Sequence, residues 1–165
     1  MTVVHLGFGS NLGDRSDRLR RALGELATEG FRPERLSPLY ETEPRGPVRD
    51  QPLFLNGAAR GRFEGEPRDL LGAIRRVEAR LGRKRGVPKG PRAVDVDILY
   101  FGGRVVREDP DLVIPHPEIA NRRFVLVPLA EIDPNLIHPV LNKSQSELLA
   151  ATDDPGGVRF LRREW

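Results

Sequence analysis

The sequence predicts an α+β fold, an antiparallel sheet with two helices on one face. Three observations predict it. Short β-branched and aromatic runs are separated by two stretches with helical spacing of apolar residues. Glycine or proline bounds each stretch. The pieces follow the order strand, helix, strand, strand, helix, strand, with further residues behind them.

The elements follow in turn. Val3-Val4-His5-Leu6-Gly7-Phe8 reads as the first strand, ended by the turn-rich segment 9–14. Leu19, Ala22, Leu23 and Leu26 recur at helical spacing, and Gly30 stops that helix. Residues 31–40 read as a second strand, irregular because of Pro33 and Pro38. Residues 41–52 form a proline-rich loop, and 53–63 a third strand. Pro67 opens a second helix whose apolar stripe is Leu70, Leu71, Ile74, Val77 and Leu81. A basic loop, 82–91, leads to the strand Asp95-Val96-Asp97-Ile98-Leu99-Tyr100-Phe101. Val105-Val106 after two glycines suggests a short hairpin, 115–124 a loop with a helical turn, and 125–132 and 144–151 short helices. The expectation is a ferredoxin-like β-α-β-β-α-β antiparallel sheet, helices on one face, with a C-terminal extension, in a single domain over 1–165.

Composition narrows the function. The 165 residues carry 38% hydrophobic and 31% charged side chains, with no apolar run near the roughly 20 residues of a membrane span. No basic, apolar leader opens the chain, so a cytoplasmic location is expected. Without cysteine there is no disulfide, thiolate metal site or cysteine nucleophile. Lys84, Lys89 and Lys143 are the only lysines among 27 basic residues, so the net charge of +3 is carried by arginine, whose planar fork suits phosphate.

The candidate site centres on Asp95 and Asp97. Alternation along a strand puts both carboxylates on one face, together with Leu99 and Phe101. Two carboxylates at the mouth of a core repel one another and lose hydration, and a divalent cation relieves both penalties. Arg75, Arg76, Arg80, Arg83, Lys84, Arg85, Lys89 and Arg92 precede them, with Glu78 among these cations. Cations, carboxylates and glycines together can hold a metal and a polyphosphate. His116 lies between two prolines, and Asn121-Arg122-Arg123-Phe124 follows it. Phe54 and Asn56 share a face of the third strand, an aromatic and an amide suited to a flat heteroaromatic ligand. Gly7-Phe8-Gly9-Ser10-Asn11-Leu12-Gly13 matches neither phosphate-loop spacing and is expected to shape the first strand-to-helix turn.

These pieces together resemble the 6-hydroxymethyl-7,8-dihydropterin pyrophosphokinase family. The resemblance runs through 9–13, 37–44, 51–56, 90–99, 113–117 and 121–129, in the family's order. It implies an enzyme of folate biosynthesis that moves the β,γ-diphosphate of ATP onto the hydroxymethyl group of the dihydropterin and releases AMP. It implies that Asp95 and Asp97 bind two Mg²⁺ ions, and that Arg83, Arg92 and His116 act on the phosphates. Glu78, Ile98 and Arg122 would seat the nucleotide. Phe54 and Phe124 would sandwich the pterin, while Asn56, Thr42, Pro44 and Gly46 would meet its hydrogen-bonding edge. Lys89 departs from the family, which often has an aromatic there, and Phe54 stands where many members have Tyr. A monomer without nucleic-acid or membrane partners is expected. The alternatives are a metal-dependent phosphohydrolase or nuclease on the same carboxylates, and an RNA-binding ferredoxin-like module. Against the latter, only 6% of residues are aromatic.

Overall fold

The computed structural model describes residues 1–44, 48, 50–82, 93–108 and 110–165. The central strand is β1 (Thr2–Ser10), flanked by β4 (Phe54–Phe63) on one side and β5 (Asp95–Phe101) on the other, both antiparallel. Beyond β4 lie β2 (Arg32–Leu36) and β3 (Leu39–Thr42), two pieces of the expected second strand. The break is at Ser37-Pro38, where proline has no N–H to offer the ladder. Ser37 keeps the pairing through its N–H to Ala58 O (2.9 Å) and its hydroxyl, which accepts from Ala58 N (2.8 Å). This β5-β1-β4-β2/β3 order is the ferredoxin-like arrangement.

Two helices back one face. In α1 (Arg15–Thr28), Asp14 caps the N-terminus by accepting from Asp17 N at 3.1 Å, and Leu19, Ala22 and Leu26 are fully buried. In α2 (Pro67–Arg80), Asp69 accepts from Glu66 N at 2.8 Å, and Leu70, Ile74 and Val77 point into the same core. Val4, Leu6 and Phe8 of β1 and Leu55, Ala59 and Phe63 of β4 meet them from the sheet.

The C-terminal extension covers part of the other face. A hairpin, β6 (Val106–Glu108) with β7 (Leu112–Ile114), leads to the turn Ile119–Asn121, then α3 (Arg123–Ile132) and α4 (Gln145–Ala151). Leu126, Leu129, Ile132 and Leu148 pack there on Ala58, Leu99 and Tyr100. A last strand, β8 (Val158–Arg162), which the pattern of the sequence did not suggest, extends the sheet beyond β3. Among the described residues no helix is long and apolar enough to cross a membrane.

One facing expectation is corrected. The β1–β5 register runs Leu6↔Ile98 and then His5↔Tyr100, so Leu99 is an extra residue on β5. Asp95, Asp97 and Leu99 keep to the open face, as alternation requires. Past the bulge the phase reverses. Tyr100 joins Leu99 under α3, and Phe101 goes to the helix-backed core instead of sharing the carboxylates' face.

Candidate active site

The part of the sheet that α3 and α4 leave uncovered forms the floor of a cavity of about 280 Å³. The floor is low because β1 brings Gly7 and Gly9 there. A Cβ on Gly9 would sit 2.8 Å from Asn56 Oδ1, so only glycine leaves that amide in place. Asp95 and Asp97 rise from β5, Phe54 and Asn56 from β4, Thr42 from the end of β3, and Phe124 from the first turn of α3. His116 and Arg122 close one side. Alternation thus brought the two carboxylates and the Phe54/Asn56 pair onto one face of neighbouring strands, joined through Gly9, which pairs with Asp95 on one side and Asn56 on the other.

Each polar group is held by its surroundings. Asn56 is buried and donates from Nδ2 to Thr42 Oγ1, which fixes its amide with the oxygen over Gly9. His116 N donates to Leu99 O (3.0 Å), anchoring its loop to the outer edge of β5. His116 Nδ1 accepts from Glu118 N (3.1 Å), so a neutral ring carries its proton on Nε2. The Arg122 guanidinium lies 5.7 Å from the centroid of the Phe124 ring. Arg123 N donates to Asp154 Oδ2 (2.9 Å), so a carboxylate from beyond α4 caps the helix that presents Phe124. Beneath Thr42, Glu41 is paired with Arg15 and Arg159, and these guanidiniums hold its carboxyl below the usual range.

A second cavity, about 220 Å³, lies across β5. Leu71 and Ile74 of α2, Ile98 of β5 and Leu112 of β7 give it aliphatic walls. Asp97 and His116 line both cavities and form the partition between them.

The sequence-predicted residues are therefore mostly together. Asp95, Asp97, His116, Arg122, Thr42, Phe54, Asn56 and Phe124 line the first cavity, and Ile98 lines the second. Glu78 lines neither. It is buried under β5, where Oε2 accepts from Val96 N at 3.0 Å and so braces the strand between the two aspartates. Pro44, two residues beyond β3, is buried and lines neither of these cavities. Arg83, Arg92 and Gly46 lie outside the described residues, as do Lys84, Arg85 and Lys89. The sequence assigns Gly7 and Gly9 to the strand-to-helix turn and Leu71 and Ile74 to the apolar stripe of a helix, and of the aliphatic walls only Ile98 to the site. Their signal, a Gly-x-Gly on a strand and an apolar helix stripe, is shared with ordinary core.

Comparison with known proteins decides the family. The model of 7,8-dihydro-6-hydroxymethylpterin-pyrophosphokinase (HPPK) matches residues 5–134. The chain belongs to the HPPK family. It is 43% identical over 159 residues to a 2-amino-4-hydroxy-6-hydroxymethyldihydropteridine pyrophosphokinase of Methylorubrum extorquens, covering 96% of this chain and 98% of that protein. It is 40% identical to the folic acid synthesis protein fol1 of Schizosaccharomyces pombe, covering 89% of this chain but 20% of that protein. The chain thus spans about a fifth of the larger relatives it matches. A crystal structure of wild-type Plasmodium falciparum HPPK-DHPS superposes with a TM-score of 0.70 at 16% identity, over 90% of this chain and 44% of that one, which shows a shared fold. HPPK membership does not support the phosphohydrolase or RNA-binding alternatives. An RNA-binding sheet also needs an open face, and here α3 and α4 occupy much of it.

Proposed function

We propose that this chain transfers the β,γ-diphosphate of ATP to the hydroxymethyl group of 6-hydroxymethyl-7,8-dihydropterin and releases AMP, a step of folate biosynthesis. One observation carries the reading: Asp97 and His116 are the partition between two cavities of different chemistry. The first offers aromatic rings and a fixed amide, suited to a pterin. The second offers aliphatic walls and Ile98 of β5, suited to a nucleoside. A polyphosphate bridging the two must pass Asp97 and His116.

The donor set fits magnesium. Asp95 and Asp97 supply hard carboxylate oxygens from one strand face at the cavity wall, and Mg²⁺ takes one or two carboxylates together with water and substrate phosphates. When bound there, Mg²⁺ supplies charge neutralisation at the phosphates. Phe54 and Phe124 hold the pterin ring, and the Asn56 amide with Thr42 fixes its rotation in the slot. His116 Nε2–H donates to a phosphoryl oxygen, and the Arg122 guanidinium meets the same charge. The hydroxymethyl oxygen bonds to the β-phosphorus as the α,β-bridging bond breaks. AMP leaves, and the hydroxyl proton is released. Positioning and charge neutralisation carry most of such a transfer. Arg83 and Arg92 complete the cationic set in this reading, Glu78 acts on the nucleotide through β5, and Pro44 and Gly46 border the pterin. The reading further assigns two Mg²⁺ ions, a monomeric cytoplasmic protein and one pyrophosphokinase domain over 1–165.

The test is a product assay with ATP, Mg²⁺ and 6-hydroxymethyl-7,8-dihydropterin, separating AMP from ADP. Pterin-dependent AMP without ADP is expected. ADP, or nucleotide turnover indifferent to the pterin, would overturn the reading.

A further inference from the structure

Beyond Ser10 the backbone ladder of β1 stops, and two side chains take over its work on opposite sides. Ser10 Oγ is fully buried and donates to Ala93 O at 2.6 Å, on the β5 side. Asn11, 2% exposed, donates from Nδ2 to Pro52 O (3.0 Å) and Gln51 Oε1 (2.9 Å), on the β4 side. The two acceptor carbonyls stand in equivalent places. Ala93 is two residues before Asp95, and Pro52 is two residues before Phe54. The first bond fixes how the chain runs into the carboxylate strand. The second fixes how it runs into the aromatic-amide strand. Gln51 carries the second anchor further, donating from Nε2 to Val48 O at 2.6 Å.

We propose that Ser10 and Asn11 are positioning residues that separately set the two halves of the site, Ser10 the Asp95/Asp97 half and Asn11 the Phe54/Asn56 half. The proposal rests on the diphosphoryl-transfer reading for its kinetics but not for its structural consequence. Neither side chain lines either of the two cavities, so both act through the strands they hold. A buried hydroxyl or amide with satisfied partners is costly to remove, and each loss here falls on the start of one strand. The strand between them, β1, pairs with both and keeps the starts of β4 and β5 in register.

The experiment compares Ser10→Ala, Ser10→Thr, Asn11→Ala and Asn11→Asp with the wild-type chain. Amide hydrogen exchange is followed by mass spectrometry, and steady-state kinetics are run on the same preparations with MgATP and 6-hydroxymethyl-7,8-dihydropterin. Asn11→Ala and Asn11→Asp are expected to speed exchange in 51–56 and leave 93–97 unchanged. Their KM for the pterin should rise about tenfold with kcat within about twofold, the size of one lost hydrogen bond to a positioned strand. Ser10→Ala should do the converse: faster exchange in 93–97, lower kcat and a higher KM for MgATP, with the pterin KM unchanged. Ser10→Thr keeps the hydroxyl and should recover most of the loss. Equal effects of Ser10→Ala and Asn11→Ala on both segments and both substrates would overturn the proposal, as would a global rise in exchange. A wild-type chain without turnover, yet with split exchange in the variants, would overturn the function reading and leave the two anchors standing.

Discussion

The two faces of the β5-β1-β4 sheet use alternate residues of the same three strands and arrive at opposite results. On the face toward α1 and α2, β1 places Val4, Leu6 and Phe8, and the space above them is filled by leucine and valine from both helices. On the other face β1 places His5, Gly7 and Gly9. There a polar cluster sits under α3 at one end, and an uncovered hollow lined by carboxylates and aromatics sits at the other. The lesson is that one strand can serve stability on one side and chemistry on the other, because its side chains alternate. Damage to one face should then be nearly silent on the other.

The sharpest way to break that comparison is Asp97→Asn. Losing a carboxylate at the shared wall should cut kcat by about a thousandfold, while the thermal midpoint stays within about 2 °C, since exposed substitutions are close to neutral for stability. Next is Leu19→Ala on the opposite face. Leu19 is fully buried, and its truncation should lower unfolding free energy by about 2–5 kcal/mol in urea, with kcat unchanged at temperatures where the chain stays folded.

A third effect is smaller and belongs to the polar end of the open face. His5 is buried with Nε2 at 2.9 Å from Asp133 Oδ2, and Arg60 lies beside the same carboxylate. Burial holds its pKa below the ordinary 6.5 despite Asp133, so the unfolded chain takes up the proton first as pH falls. His138, packed edge-on against Tyr100, is shifted the same way by burial. The stability these rings contribute is full above about pH 6.5 and is lost as pH falls from there toward their folded values. Urea midpoints measured from about pH 7.5 down to 5.5 should therefore fall, and fall less in His5→Gln. The smallest effect is expected at Glu29, whose carboxylate pairs with Arg76 and Arg80 on the exposed seam between α1 and α2. Glu29→Gln should shift the thermal midpoint by no more than about 2 °C, and less in high salt.

The filled face was the more legible in the sequence. Its residues follow simple periods, so the helices and the β-α-β-β-α-β order could be read from Leu19, Ala22, Leu26 and from Leu70, Ile74, Val77. The paired facing of Asp95 with Asp97 and of Phe54 with Asn56 was legible for the same reason. Phe101 was not, because one extra residue at Leu99 reverses the phase and nothing local marks the bulge. β8 escaped because its residues are mostly exposed and the strand it pairs with, β3, lies over a hundred positions away. The work of Ser10 and Asn11 was hidden similarly. Their acceptors are 83 and 41 residues distant, and short polar side chains beside glycine read as a turn. Trp165 is a like case, seated edge-to-face on Phe8 with Nε1 donating to Ser37 O at 2.8 Å.

The central claim, that the two faces divide stability from chemistry, is tested most directly by combining Leu19→Ala with Asp97→Asn. Urea unfolding and kcat would be measured for both single variants and the double. Independence predicts that the double unfolds like Leu19→Ala alone and turns over like Asp97→Asn alone, with coupling below about 0.5 kcal/mol. A coupling above about 1 kcal/mol in either quantity would show that the sheet transmits between its faces, and would contradict the account.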